Sequence, residues 1–233
     1  MPIIDLNCDL GEGFPHDAEL MGLISSANIA CGGHAGDDES VRAAVELADR
    51  RGVRTGAHPS FADRDGFGRR EIEIAWGPLV ELIHDQILAF ERAAGRRPDY
   101  VKPHGALYNM ACVRDDYARA VGETAALRRV PAIMGPPGSR LELEAADRGL
   151  GFHREGFADR RYRPDGRLVP RDRPDALIED PAEAVAQAER LIADHGVRSL
   201  CVHGDNPRAV EFVRELRRHL EARGFAIAPV EPA

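Results

Sequence analysis

Four of the chain's nine histidines, His34, His58, His104 and His203, each close a short apolar run beside a glycine or proline. Imidazoles serve near neutral pH as acid–base groups, hydrogen-bond partners or metal ligands. Just beyond the carboxyl ends of strands, where α/β proteins build their sites, they point to an enzyme. Asp5, Asn7 and Asp9 alternate with Leu6, Cys8 and Leu10, so an extended chain puts the three polar groups on one face. A buried carboxylate is costly unless paired, so this face is either a solvated edge or part of a site. Gly11, Glu12 and Gly13 follow at once, and glycines let backbone approach a ligand closely, which favours the site. Lys102 and His104 stand two residues apart, on one side if extended. A buried lysine takes a depressed pKa or an acidic partner, and Asp5 or Asp9 as that partner makes either a structural ion pair or an acid–base couple.

Further clusters repeat the arrangement. Asn28 leads through three glycines around His34 to Asp37, which serves equally well as the N-cap of a following helix. His58 precedes a charged loop whose Arg69 either clamps a substrate carboxylate or is simply solvated. Tyr108 and Asn109 follow His104, and His203 is followed by Asp205. No two histidines or cysteines stand at metal-motif spacing, so a divalent-metal site would rest wholly on tertiary convergence, and none is assigned. Residues 135–140 lack the lysine of a phosphate-binding loop, so any ATP is not held by that motif here. Cys8, Cys31 and Cys201 fall in strand-like runs and read as small buried hydrophobes, with Cys112 at a helix edge.

These groups need a scaffold. Apolar runs at 3–8, 24–30, 53–57, 100–102, 132–134, 151–154 and 199–203 read as strands. Between them, patterns at 41–51, 78–94, 115–127, 140–148, 181–194 and 207–223 carry apolar residues at helical spacing, with glycine stops at 52, 95, 149, 196 and 224. Polar clusters follow at least five strands, whereas an open sheet gathers its site at one switch point. The expectation is one domain, residues 1–233, folded as a distorted (β/α) barrel of about seven strands. Irregular stretches at 58–71 and 155–175 read as binding loops or surface excursions. A net charge of −8 argues against a nucleic-acid partner. With no apolar run of membrane-spanning length and no basic leader, the expected location is the cytoplasm.

The motifs in order resemble the LamB/YcsF family: D-L-N-C-D-L-G-E at 5–12, S-A-N-I-A-C-G-G-H-A-G-D at 26–37, G-A-H-P-S at 56–60 and G-F-G-R-R at 66–70. V-K-P-H-G-A-L-Y-N at 101–109, E-G-F-A-D-R at 155–160, L-V-P-R at 168–171 and C-V-H-G-D at 201–205 complete the set. The resemblance implies a glycoside hydrolase/deacetylase-like barrel and the A subunit of a 5-oxoprolinase, which opens the lactam of 5-oxoproline to L-glutamate with ATP as co-substrate. It also implies B and C subunits as partners. Under it the catalytic candidates are Asp9, His34, His58, Lys102 and His104. Asp9 or His34 would deprotonate water, and Lys102 with His104 would stabilise negative charge. The substrate-binding candidates are Asp5, Asn7, Glu12, Asn28, Asp37, Arg69, Tyr108, Asn109, Glu155, Arg160, His203 and Asp205. Gly33 departs from the family's usual Phe, Arg161 stands where a smaller residue is common, and the segment before Ser199 is short. Two other classes fit the same residues: a stand-alone metal-dependent amidohydrolase or deacetylase, and a non-catalytic substrate-binding subunit.

Overall fold

The computed structural model describes residues 1–164, 166–171, 173–204 and 208–232. β1 (Ile3–Leu10), β2 (Ser26–Ala30), β3 (Arg54–His58), β4 (Tyr100–Val101), β5 (Ala132–Gly135), β6 (Gly151–Phe157) and β7 (Ser199–His203) pair in chain order, all parallel. β7 then pairs back to β1, with Asp5 beside Ser199 and Asp9 beside His203, so the sheet closes into the expected seven-stranded barrel. A short β8 (Ala226–Ile227) joins β1 at Ile3 and Ile4. The tail beyond it crosses the amino end of the barrel. Ala228 donates to the Ile4 carbonyl, Arg54 reaches the Val230 carbonyl, and Pro232 lies against Gly151.

The connecting helices are α1 (Asp17–Leu20), α2 (Asp38–Arg51), α3 (Trp76–Ala94), α4 (Gly105–Val113), α5 (Asp115–Leu127), α6 (Arg140–Asp147), α7 (Pro181–His195) and α8 (Ala209–Ala222). α3 shows why the periodicity is readable: Leu79, Ile83, Ile87 and Phe90 form one buried stripe against the barrel. Each such side chain contributes roughly 1.5–3 kcal/mol on burial. Gly52, Gly95 and Gly196 end α2, α3 and α7 in the left-handed conformation that the glycine stops predict. Among the described residues no helix is long and apolar enough to cross a membrane.

The lumen is polar rather than apolar. Asp5 sits at its base, 2% exposed, accepting hydrogen bonds from Ser25 (2.6 Å), Ser26 (2.7 Å) and Ser199. Burial pushes its carboxyl above the usual carboxylate range against the pull of these hydroxyls. Higher up, the Tyr100 ring crosses the lumen and its hydroxyl donates to Asn28 Oδ1 at 2.7 Å. Gly56 makes that crossing possible, because a Cβ there would overlap the Tyr100 ring. Gly56→Ala is therefore expected to lower unfolding free energy by about 1–3 kcal/mol, as for other overpacked cores, read by denaturant melts.

His153, 3% exposed, stands edge-on to the same tyrosine. Burial, aided by Arg54, lowers its pKa from 6.5 to about 4. The folded state thus binds fewer protons than the unfolded chain between those values. The stability that neutral His153 supports is complete above pH 6.5 and is lost as pH falls towards 4. The expected loss is about 3 kcal/mol. Comparing unfolding at pH 7 and pH 4.5 in the wild type and His153→Gln checks this: the variant should lose less stability on acidification.

Candidate active site

At the carboxyl end of the barrel, β1 and β4 bring Asp9 and Lys102 together. Asp9 Oδ1 accepts from Lys102 Nζ at 3.1 Å and from Asn28 Nδ2 at 2.8 Å. The ammonium also lies 2.7 Å from Glu155 Oε1, 3.2 Å from Cys201 Sγ and 3.3 Å from Asn7 Oδ1. Tyr108 donates to the other Glu155 oxygen at 2.8 Å, so α4 holds the carboxylate in place. Lys102 is only 2% exposed. Burial works to lower its pKa, but Asp9, Cys201 and Glu155 hold it well above the ordinary lysine value. Burial keeps the Cys201 thiol well above its own usual range, hence uncharged, so the effective partners are the two carboxylates. Lys102 is thus held as a positive charge between two carboxylates.

Asp9 answers it. Burial raises a carboxyl, yet His58, Lys102 and His203 hold Asp9 well below the usual range. Its second oxygen lies 3.3 Å from His58 Nε2. His58 is oriented by its Nδ1, 2.7 Å from the Lys102 carbonyl. His104 stands at the N-cap of α4 with Nδ1 3.0 Å from His58 Nε2 and Nε2 3.0 Å from the Phe67 carbonyl. His34 stacks on His104 at 3.7 Å between centroids and reaches Glu12 at 2.9 Å. Burial lowers the pKa of His34, and burial with His58 and His34 nearby puts His104 well below the usual histidine value.

Asp9, Glu12, His58, Lys102, His104, Phe157 and His203 floor a cavity of about 1050 Å³. Arg69, Arg114, Arg160, Arg163, Arg167 and Arg171 line its walls, so the opening favours anions. Arg160 is 7% exposed. It donates to the Val169 carbonyl at 2.7 Å, while its buried Nε has no hydrogen-bond partner among the described residues. His203 is held by Asp159, whose carboxylate oxygens lie 2.9 and 3.1 Å from Nδ1 and which also accepts from the His203 backbone.

A family model for LamB/YcsF matches residues 4–233. The chain belongs to the LamB/YcsF family. Among LamB/YcsF relatives, the 5-oxoprolinase A subunit of Methylococcus capsulatus is 49% identical over 248 residues, covering 97% of this chain and 95% of that protein. The protein of the same name from Nocardia farcinica is 46% identical over 250 residues, covering 97% and 98%. The crystal structure of a lactam utilization protein from Thermus thermophilus superposes with a TM-score of 0.86 at 37% identity, covering 99% of this chain and all of that one. A family 4 carbohydrate esterase from Streptomyces lividans shares the fold alone, with a TM-score of 0.53 at 12% identity.

The LamB/YcsF motifs thus supply most of the floor, but not every candidate lies there. Asp5, Asn7 and Asn28 are buried beneath Asp9 and away from the cavity lining, where they tie the strands together. Asp37 is exposed and caps α2, accepting from Glu39 and Ser40 backbone amides at 3.1 and 2.8 Å. His34 is 2% exposed, packs behind Glu12 and His104, and does not line the cavity. Tyr108, Asn109, Arg69 and Arg160 do line it, and Glu155 stands behind Lys102. Asp205 lies outside the described residues. Sequence reasoning passed over Ser60, Gln86 and Asp159. Gln86 brackets Ser60, accepting from its backbone N–H at 3.0 Å and donating to its carbonyl at 2.7 Å. It fills the space beside Gly33, where a Cβ would overlap Gln86 and the Ser60 hydroxyl. Asp159 had a signal, since it falls inside a matching motif.

Proposed function

We propose that this chain is the A subunit of an ATP-dependent 5-oxoprolinase that opens the lactam of 5-oxo-L-proline to L-glutamate. The observation that carries the reading is the Lys102–Asp9 pair at the floor of an arginine-walled cavity, in a chain whose family members are named for this activity. An unstrained amide is a poor electrophile, which accounts for the need for ATP. Phosphorylation of the lactam oxygen by B and C subunits would give an imidate-like phosphate. Asp9 would accept a proton from water as it adds to the ring carbon, and Lys102 would face the developing negative charge. Breaking the carbon–nitrogen bond, with the nitrogen protonated, leaves an acyl phosphate that a second water cleaves to glutamate and phosphate. Arg160 and Arg69, both lining the cavity, would hold the substrate carboxylate. ATP use puts this work in the cytoplasm.

The test is glutamate formation from 5-oxoproline with ATP, with and without the B and C subunits. Turnover only in the full complex is the expected result. Activity of the isolated chain without ATP would instead favour a stand-alone amidohydrolase, a reading to which the convergence of three histidines and Glu12 gives some weight. Unchanged turnover after substitutions at Asp9 and Lys102 that weaken binding would favour a delivery subunit.

A further inference from the structure

Four separate segments bring one carboxylate and three imidazoles to a single point beside the cavity floor. Glu12 follows β1, His34 follows β2, His58 ends β3, and His104 precedes α4. Each offers one ligand atom within 4.8 Å of the others, and the direct contacts run between Glu12 Oε1, His34 Nε2, His58 Nε2 and His104 Nδ1. The closest pairs stand at 2.9 Å for His34 and Glu12, 3.0 Å for His58 and His104, and 3.6 Å for His104 and Glu12. A tetrahedral zinc ion holding nitrogens at ~2.0 Å separates its ligands by roughly 3.3 Å, so the group already stands near ligand spacing.

The groups behind the three rings fix where each neutral imidazole carries its proton. The Lys102 and Phe67 carbonyls can only accept, so His58 carries its proton on Nδ1 and His104 on Nε2. Ser60 Oγ donates to the Phe61 carbonyl at 2.8 Å and thereby accepts from His34 Nδ1 at 3.0 Å. In the neutral rings, the nitrogens that converge are then lone pairs, all three, turned toward a carboxylate. In that neutral state His58 Nε2 and His104 Nδ1 stand 3.0 Å apart with no proton between them, and Asp9 Oδ2 lies 3.3 Å from the same His58 nitrogen, so a positive charge at this point is favoured by both neighbours. One added proton would satisfy one of these contacts, whereas one divalent cation satisfies all four at once. Histidines that bind metal regularly donate their far N–H to a carbonyl or similar acceptor, as each ring does here.

We infer that Glu12, His34, His58 and His104 form a binding site for one divalent transition-metal ion, zinc by its donor set of three nitrogens and one carboxylate oxygen. Glu12, His58 and His104 also line the cavity, so one side of the site faces substrate. An ion of this class acts as a Lewis acid toward a bound oxygen. The site stands on its own geometry, apart from the lactam reading.

The test uses the full chain, stripped with a chelator, dialysed, and titrated with Zn²⁺ by calorimetry and with Co²⁺ by visible absorption. One equivalent per chain is expected, with binding lost in Glu12→Gln and His34→Gln. Ser60→Ala, which keeps all four ligands but removes the acceptor behind His34, should weaken affinity about 10- to 100-fold. It carries the test if His34→Gln does not fold. A folded wild-type chain that takes up neither ion at micromolar concentration overturns the site. So does uptake that is equally tight in Glu12→Gln and Ser60→Ala. Zinc uptake by a chain whose complex opens no lactam supports the site and removes the hydrolase reading, while full turnover by a chain that binds no metal does the reverse.

Discussion

Replacing Lys102 by methionine is expected to lower turnover of the reconstituted complex by about 10²–10³-fold and to remove about 3–5 kcal/mol of stability. The two losses have different origins. Methionine fills much of the same space, but it leaves Asp9 and Glu155 buried without the ammonium that lies 3.1 and 2.7 Å from their oxygens. Removing one partner of a buried ion pair is far more damaging than never having built the pair. Adding Glu155→Gln removes one of the stranded charges, so the double variant should regain stability in chemical denaturation. Turnover should stay low, because no positive charge then faces the reacting carbonyl. A double variant that recovers both would make Lys102 a structural residue only.

Asp9→Asn is the second large effect, and here stability should fall less than with Lys102→Met, because Glu155 still lies 2.7 Å from the ammonium. The amide oxygen still accepts from Asn28 and Lys102, as Oδ1 does at 2.8 and 3.1 Å. The amide nitrogen replaces the oxygen 3.3 Å from His58 Nε2 and can donate to it. What disappears is the proton acceptor at the cavity floor. Turnover should fall about 10²–10⁴-fold, the usual worth of a positioned base, with KM for 5-oxoproline little changed. Steady-state kinetics of the complex decide it. A variant with near wild-type turnover would move the base to another acceptor on that floor, Glu12, His58, His104 or His203.

The parts of the fold that show in the sequence are those where one physical rule acts alone. The stripe of Leu79, Ile83, Ile87 and Phe90 follows helical spacing because α3 has one wet face and one dry face. α4 escaped because Ala106, Leu107, Tyr108, Met110 and Ala111 are all buried, which erases the contrast that periodicity needs. β8 is two residues long and leaves no pattern. In the site, the alternation of Asp5, Asn7 and Asp9 correctly put all three inside the barrel, yet only Asp9 lies high enough to meet the cavity. Depth along a strand depends on where the neighbouring strands end, which no local pattern records. The meeting of Glu12, His34, His58 and His104 is likewise set by barrel closure, with Glu12 and His104 standing 92 positions apart. No spacing rule operates over that distance.

The tail that crosses the amino end, together with Asp5 locked among its serines, turns the barrel into a blind well. Traffic is then one-way in and the same way out. If a partner delivers an activated lactam through the arginine-lined opening, glutamate and phosphate must leave past that same partner. Delivery and clearance would compete for one doorway, and at saturating substrate the pace of the cycle would be set by how fast the partner steps aside.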